Sequence, residues 1–257
     1  MARFQTEGIV LKHFDLGEAD KIITFYTTDR GKIRAVARGA RKAKNKISGL
    51  VLPFSYNKIT IYRGRSIDRI NHIENKYSFS ELREDLTKMA YASYMAEVVE
   101  KVGKEDNPNE TLFSLLLTAY HQMMKLDGEE TDKLDLINLK FKTRLLSILG
   151  FEPELTYCIE CENKIKLKNK NHFSISYGGM VCPDCLDDND EYIYNLSGEA
   201  VVILRRLLDL QLQVPDNLRI SDNAFQSINK LIDLFMTYHL EIKIKSEKFL
   251  HMIKNIG

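Results

Sequence analysis

The chain spends all four of its cysteines in two pairs, Cys158-Ile-Glu-Cys161 and Cys182-Pro-Asp-Cys185, with 20 residues between them. Four cysteines can form a disulfide framework, a redox dithiol or a metal site. The opening MARFQTEGIV has no long apolar run after a basic stub, so it is not read as a secretory signal. Nowhere do eighteen apolar residues run together, so no membrane span is expected. A reducing cytoplasmic setting follows, where structural disulfides are rare. A thiol-exchange pair at Cys182 and Cys185 normally wants its first cysteine at a helix N-terminus. Here HFSISYGGMV alternates apolar and polar residues around Gly178-Gly179 and reads as a short hairpin feeding a turn. Two C-x2-C pairs at this separation are the spacing of a four-cysteine zinc site, each pair bending around one side of the ion.

The expected ligands are Cys158, Cys161, Cys182 and Cys185. Iron takes four thiolates equally well. His172 is a fifth candidate, but four thiolates already close the site, leaving it as a surface residue. A closed site has no open coordination position, so the metal is expected to staple a small module rather than do chemistry. Glycine often follows such a pair because the turn favours φ > 0. Glu162-Asn163 and Leu186-Asp187 stand there instead.

Charge is segregated along the chain. The net charge is +1, yet residues 1–80 hold 16 Lys and Arg against 7 Asp and Glu, and the remainder holds 21 against 29. From Arg30 through Ile67 there are 11 basic residues and no acidic one. Such asymmetry points to a polyanion partner for the basic part.

Up to about Asn75 the pattern is of short strands: EGIVLKHF, KIITFYTT, KIRAVAR, NKITIYR and IDRINHI, separated by turn residues and by a loop from Gly39 to Pro53. Five short strands suit a small closed barrel. After Ser80 the period becomes helical. Leu82, Leu86, Met89, Ala92, Ala96 and Val99 form one expected stripe. Leu112, Leu115, Leu116, Ala119, Met123 and Leu126 form a second, and Leu134, Ile137, Phe141, Leu145 and Ile148 a third. Gly150 and Pro153 end this section. Two further helices are expected, one from near Ser197 and one from Ser221. Apolar stripes of this kind are core by default.

The expected fold is α+β and multidomain. A five-stranded OB-fold barrel occupies 1–78 and a helical domain 79–153. The four-cysteine module spans 154–190, and the helical domain resumes over 191–257.

Strand alternation places Lys32, Arg34, Val36 and Arg38 on one face and Ile33, Ala35 and Ala37 inside the barrel. Arg41, Lys42, Lys44 and Lys46 follow on what should be a mobile loop. Most charge runs are solvated faces, but 8 basic residues among positions 30–46, with no acid between them, favour a phosphate-tracking stripe. Tyr26, Phe54, Tyr56 and Tyr62 are candidate stacking platforms. Tyr56 and Tyr62 are preferred because they alternate opposite Ile59 and Ile61. No phosphate loop, nucleophile elbow or HExxH is present, and the six histidines are scattered. The chain reads as a binding protein and not an enzyme.

Two blocks carry a resemblance. EGIVLKHFDLGEADKIITFYTTDRGKIRAVARGARKAKNK resembles the opening of the RecO family of bacterial recombination mediators. KFKTRLLSILGFEPELTYCIEC, with GGMVCPDC after it, resembles the stretch leading through that family's zinc module. The resemblance implies an N-terminal OB-fold, a helical domain and a zinc module inserted in it. It implies a nucleoid-associated protein that binds single- and double-stranded DNA and anneals complementary strands. It also implies a part in loading RecA onto strands coated by single-stranded-DNA-binding protein, working with RecR and with that protein's acidic C-terminal tail. The alternatives, by class, are an RNA-binding translation factor and a CxxC thiol oxidoreductase.

Overall fold

Five strands rich in β-branched and aromatic residues open the computed structural model, which describes residues 3–42, 44–127, 130–187, 190–209 and 218–254. They are β1 (Arg3–Leu16), β2 (Asp20–Thr27), β3 (Gly31–Ala37), β4 (Tyr56–Tyr62) and β5 (Asp68–Tyr77). They close into a barrel in the order β1-β2-β3-β5-β4. β1 is long enough to serve two neighbours, pairing through Arg3–Ile9 with β4 and through Gly8–Leu16 with β2. A register shift between Val10 and Lys12 bends it between the two tasks. The last seam is short and parallel, Ala35 beside Asp68 and Val36 beside Arg69. This is the five-stranded Greek-key barrel of the OB-fold. Its interior is Val10, Ile23, Phe25, Ala35, Ala37, Ile59, Ile61 and Ile73, the inward set that alternation predicts.

The segment between β3 and β4 differs from the expected mobile loop. Ala40 and Val51 are buried in the barrel core, and a short helix, α1 (Ile47–Leu50), packs Ile47 and Leu50 against it. Asn45 fastens the turn, its Oδ1 accepting the Ile47 N–H at 3.1 Å. Burial of these apolar residues outweighs the solvation of the lysines between them, so the segment is anchored at both ends.

By compactness the chain divides into two units, residues 1–134 with 244–257, and residues 135–243. In the first, the barrel is joined by α2 (Glu81–Glu84), α3 (Leu86–Val102) and α4 (Glu110–Met124). Gly31 is central to that junction. Its φ is +64, and a Cβ there would lie 2.4 Å from the Lys104 carbonyl oxygen, which accepts the Lys32 N–H at 2.9 Å. The first expected helical stripe is broken. Asp85 is extended and caps α3, accepting the Lys88 N–H at 2.9 Å, so Leu82 and Leu86 stand on separate helices. Leu82 is buried while Leu86 is exposed. From Ala90 onward α3 is covered on most sides, as befits a helix between the barrel and its neighbours.

The second unit takes most of α5 (Thr131–Ile148), then a three-stranded sheet, β6 (Asn171–Ser174), β7 (Gly179–Val181) and β8 (Ile193–Leu196) in the order β7-β6-β8. The helices α6 (Gly198–Asp209) and α7 (Asp222–Leu240) follow. Two buried lysines pin α5 to them. The Lys142 ammonium meets Asp233 at 2.6 Å and Asn229 at 2.7 Å, and Lys140 donates to the Leu207 carbonyl. Buried ammonium groups are tolerated only when satisfied in this way.

α7 ends at Glu241, which is left-handed (φ 51). A further helix that the sequence pattern did not suggest, α8 (Ser246–Lys254), then returns to the first unit and packs on α3. The Glu97 carboxylate of α3 caps it, accepting the N–H groups of Lys245 at 2.9 Å and Ser246 at 2.8 Å and the Ser246 hydroxyl at 2.6 Å. Burial pushes the Glu97 carboxyl up, but the Ser246 hydroxyl and the two N–H groups outweigh it and hold it below its usual range.

Glu97→Ala should lower the denaturation free energy of the full chain by about 1 kcal/mol, the usual worth of a helix cap. A carboxyl held low in the folded state stabilises above its unfolded pKa, and that part is lost as pH falls through the folded value. As pH falls from the usual carboxylate value through the lower folded one, Glu97→Gln should therefore lose less stability than the parent. Equal midpoints and equal acid profiles would show that the cap is energetically idle.

Candidate metal centre and nucleic-acid interface

The paired cysteines converge. Cys158 leaves a short antiparallel bridge between Tyr157 and Lys164 and enters a tight turn, in which the Glu162 N–H returns to the Cys158 carbonyl at 2.9 Å. Glu162 takes the left-handed conformation, φ +58, where glycine often stands. β7 carries the chain back. The Ile159 N–H bonds the Met180 carbonyl at 3.0 Å, and Gly179 admits Ile159 where any Cβ would lie 2.4 Å from its Cγ2. Cys182 precedes and Cys185 ends a single 3-10 turn, Pro183–Cys185, and neither heads an α-helix, which removes the usual setting for a reactive dithiol.

All four Sγ atoms lie within 4.8 Å of one another, and those of Cys161 and Cys182 are 3.8 Å apart. That is far beyond a disulfide bond. It is the edge of a tetrahedron with metal–sulfur distances of ~2.3 Å, which is ~3.8 Å. Burial raises the Cys158 thiol, but the backbone N–H groups of Cys161, Cys182 and Glu160 outweigh it and bring it down to about 6. Hydrogen bonding to the sulfurs of Cys182 and Cys161 pushes Cys185 up to about 12. Thiols this close ionise together only around a cation, which is the chemistry of a metal–thiolate site. The donor set therefore fits a metal ion. His172 lies on β6 and is not one of the cluster.

The basic residues of the barrel fall into two groups. Lys32 is committed to the fold, its ammonium donating to the Glu100 carbonyl of α3 at 2.7 Å. Arg34 and Arg41 stay exposed, with weak surface pairs: Arg34 to Glu105 at 3.7 Å, and Arg41 to Asp15 at 3.3 Å and to the Gly17 carbonyl. Arg38, Lys42, Lys44 and Lys46 are exposed. Surface ion pairs are worth about 0–1 kcal/mol, so a phosphate can replace them readily.

The aromatic candidates separate in the same way. Tyr26 and Phe54 are buried and belong to the core. Tyr56 is turned to the helices of its own unit, with its ring edge-on to Phe113 at 5.7 Å between centroids. Its hydroxyl bonds Glu7, and Lys76 completes the group at 2.7 Å from the Glu7 carboxylate. Lys76 and that hydroxyl hold Glu7 below its usual range. Alternation assigned Tyr56 its face correctly but could not show what covers it. Tyr62 is exposed.

Pairing adds a residue that the linear reading missed. Arg69 on β5 is exposed and stands between Tyr62 of β4 and Val36 of β3, so Tyr62, Arg69 and the Arg34–Arg38 edge share one outer face. Arg69 comes from a strand that looks unremarkable in sequence. A second addition is Phe4, whose ring carries the Arg30 guanidinium at 4.2 Å and that of Arg63 at 5.8 Å.

Comparison with known proteins finds a family match over most of the chain. The family description Recombination protein O N terminal matches residues 1–79, and Recombination protein O C terminal matches residues 83–248. The chain belongs to the RecO family. A relative called DNA repair protein RecO from Desulforamulus reducens is 34% identical over 100% of this chain and 98% of its own length. Those from Symbiobacterium thermophilum and Bacillus subtilis are 33% and 30% identical over 99% and 97% of this chain. Family membership supports a role in DNA repair. Among the described residues no helix is long and apolar enough to cross a membrane.

Metal analysis of protein purified without chelator should find one ion per chain. Changing Cys158 and Cys161 to Ser should abolish it and raise hydrogen exchange across residues 154–187 while the barrel strands stay protected. Protein that holds no metal, or a serine variant with unchanged exchange in the module, would rule out a structural metal.

Proposed function

We propose that the protein is a non-enzymatic recombination mediator. It binds single- and double-stranded DNA, anneals complementary strands, and assists loading of RecA onto strands coated by single-stranded-DNA-binding protein. RecR and the acidic C-terminal tail of the single-strand binding protein are its partners on this reading, and the cytoplasmic nucleoid is its setting. We take the ion to be zinc, and because four thiolates leave no position for substrate or water it acts as a structural staple.

One observation carries the proposal: the cationic outer face on which exposed Arg34 of β3 and Arg38 at its end flank Val36, Arg69 of β5 pairs with Val36, and Tyr62 of β4 presents an open ring. Arg41, Lys42, Lys44 and Lys46 extend it past the end of β3. Guanidinium and ammonium groups bind phosphates without regard to sequence, and an exposed aromatic accepts any base. Lys32 and Tyr56 contribute indirectly, by fixing β3 and β4 against the helices. Annealing needs a surface that screens two polyanions as they approach, and a cationic face supplies it.

If about five phosphates are neutralised, log K for a single strand should fall with log[salt] at a slope of roughly −3.5. Arg34→Glu with Arg38→Glu should flatten that slope and slow annealing without loss of metal. Tyr62→Ala should cost about 1–3 kcal/mol of binding, the worth of one stacked base, whereas Tyr56→Ala should act mainly on stability. A doubly reversed variant that binds and anneals like the parent at every salt concentration would place the DNA site elsewhere.

A further inference from the structure

A second cationic surface lies in the other unit, beside the cysteines. The segment Asn163-Lys-Ile-Lys-Leu-Lys-Asn-Lys170 sets Lys164, Lys166, Lys168 and Lys170 at every second position, with no acidic residue between them. Over its first part the lysines are exposed, while Ile165 and Leu167 are half-buried, so the chain is an extended comb with its teeth outward.

Both ends of the comb are fixed. At the start, Lys164 bridges to Tyr157 and the Ile165 N–H bonds the Thr156 carbonyl at 2.9 Å. At the far end the buried Asn171 side chain clamps Lys168. Its Oδ1 accepts the Lys168 N–H at 2.9 Å, and its Nδ2 donates to the Lys168 carbonyl at 2.7 Å. The four lysines line a groove of about 490 Å³ together with His172 and Asp184. None of the four ammonium groups has an ion pair or hydrogen bond among the described residues.

We propose that this comb is a second binding surface for a nucleic-acid phosphate backbone, separate from the barrel face. It rests on the reading of the protein as a DNA-binding mediator and deepens it, because annealing joins two strands and the chain then offers a cationic track in each unit. Successive teeth on an extended chain are ~6.6 Å apart, a regular one-sided spacing suited to a ligand whose own charge repeats along a line. An acidic peptide that anchors by apolar side chains fits less well, since Met180 and Val181 of the groove are already buried. Simple balancing of the thiolate centre's charge is the competing role, because the groove also touches Cys182.

The test uses full-length, metal-loaded protein and a fluorescein-labelled oligothymidylate over a salt series. Lys164→Glu, Lys166→Glu and Lys168→Glu together should make the slope of log K against log[salt] shallower by ~2, three contacts' worth, and slow annealing. Metal content should be unchanged, and the three Lys→Arg changes should restore the parent slope. A Glu variant that keeps its metal and the parent slope overturns the proposal. If that variant releases its metal, Lys166→Gln with Lys168→Gln carries the same comparison. Release there as well assigns the lysines to the metal centre and also overturns it. So does a variant that loses a glutamate-rich peptide while holding oligothymidylate as before. A parent protein without affinity for oligothymidylate would instead sink the mediator reading itself. A comb variant with a changed slope beside a normal Arg34→Glu, Arg38→Glu variant would relocate the DNA site to the comb.

Discussion

Two residue pairs, Ala35 with Asp68 and Val36 with Arg69, turn five strands into a barrel. Without that short parallel seam β3 and β5 would be open edges, prone to pair with other chains. The seam also brings Arg69 and, through β4, Tyr62 beside the arginines of β3. The cationic face that we propose for phosphate binding therefore depends on closure. The inward Ile, Val and Ala side chains drive that closure, and the charged residues take the positions left to them by alternation.

The same economy appears where the barrel meets its helices. Glu100, Lys104 and Glu105, at the end of α3 and just beyond it, meet Lys32 and Arg34 of β3. Gly31 allows the approach because it has no Cβ to collide with the Lys104 carbonyl. Part of the basic strand is thus spent on holding the first unit together, and the rest faces outward. Counting charges in the sequence cannot separate the two uses; hydrogen-bond partners do.

In the second unit the organising constraint is the crowding of four sulfurs within 4.8 Å. Phe173, Met180 and Val181 of the hairpin are buried, while the cysteine turns beside it are short, and an ion held by the four sulfurs would tie them together. Glu162 accepts a left-handed backbone to complete the first knuckle, at a cost that a non-glycine residue bears only when the surroundings enforce it. The lysine comb leads directly out of that knuckle, so its start is fixed to the same turn that gathers the cysteines.

Much of this was legible in the residues alone. Period-two alternation predicted the five barrel strands and their inward side chains. The two C-x2-C pairs predicted the sulfur cluster, because ligand spacing is local and the chemistry of thiolates admits few alternatives. The lysine alternation at 164–170 was equally visible but was masked by the acidic average of its section. Other features needed the tertiary structure. Asp85 resets the helical phase, so Leu82 and Leu86 part company. Glu97 caps a helix some 150 residues further along the chain. Tyr56 is covered and Tyr62 open although both lie on one strand face. Sequence periodicity specifies which side a residue faces, since that follows from backbone geometry. What covers that side depends on contacts between segments distant in the chain, which only the packed structure decides.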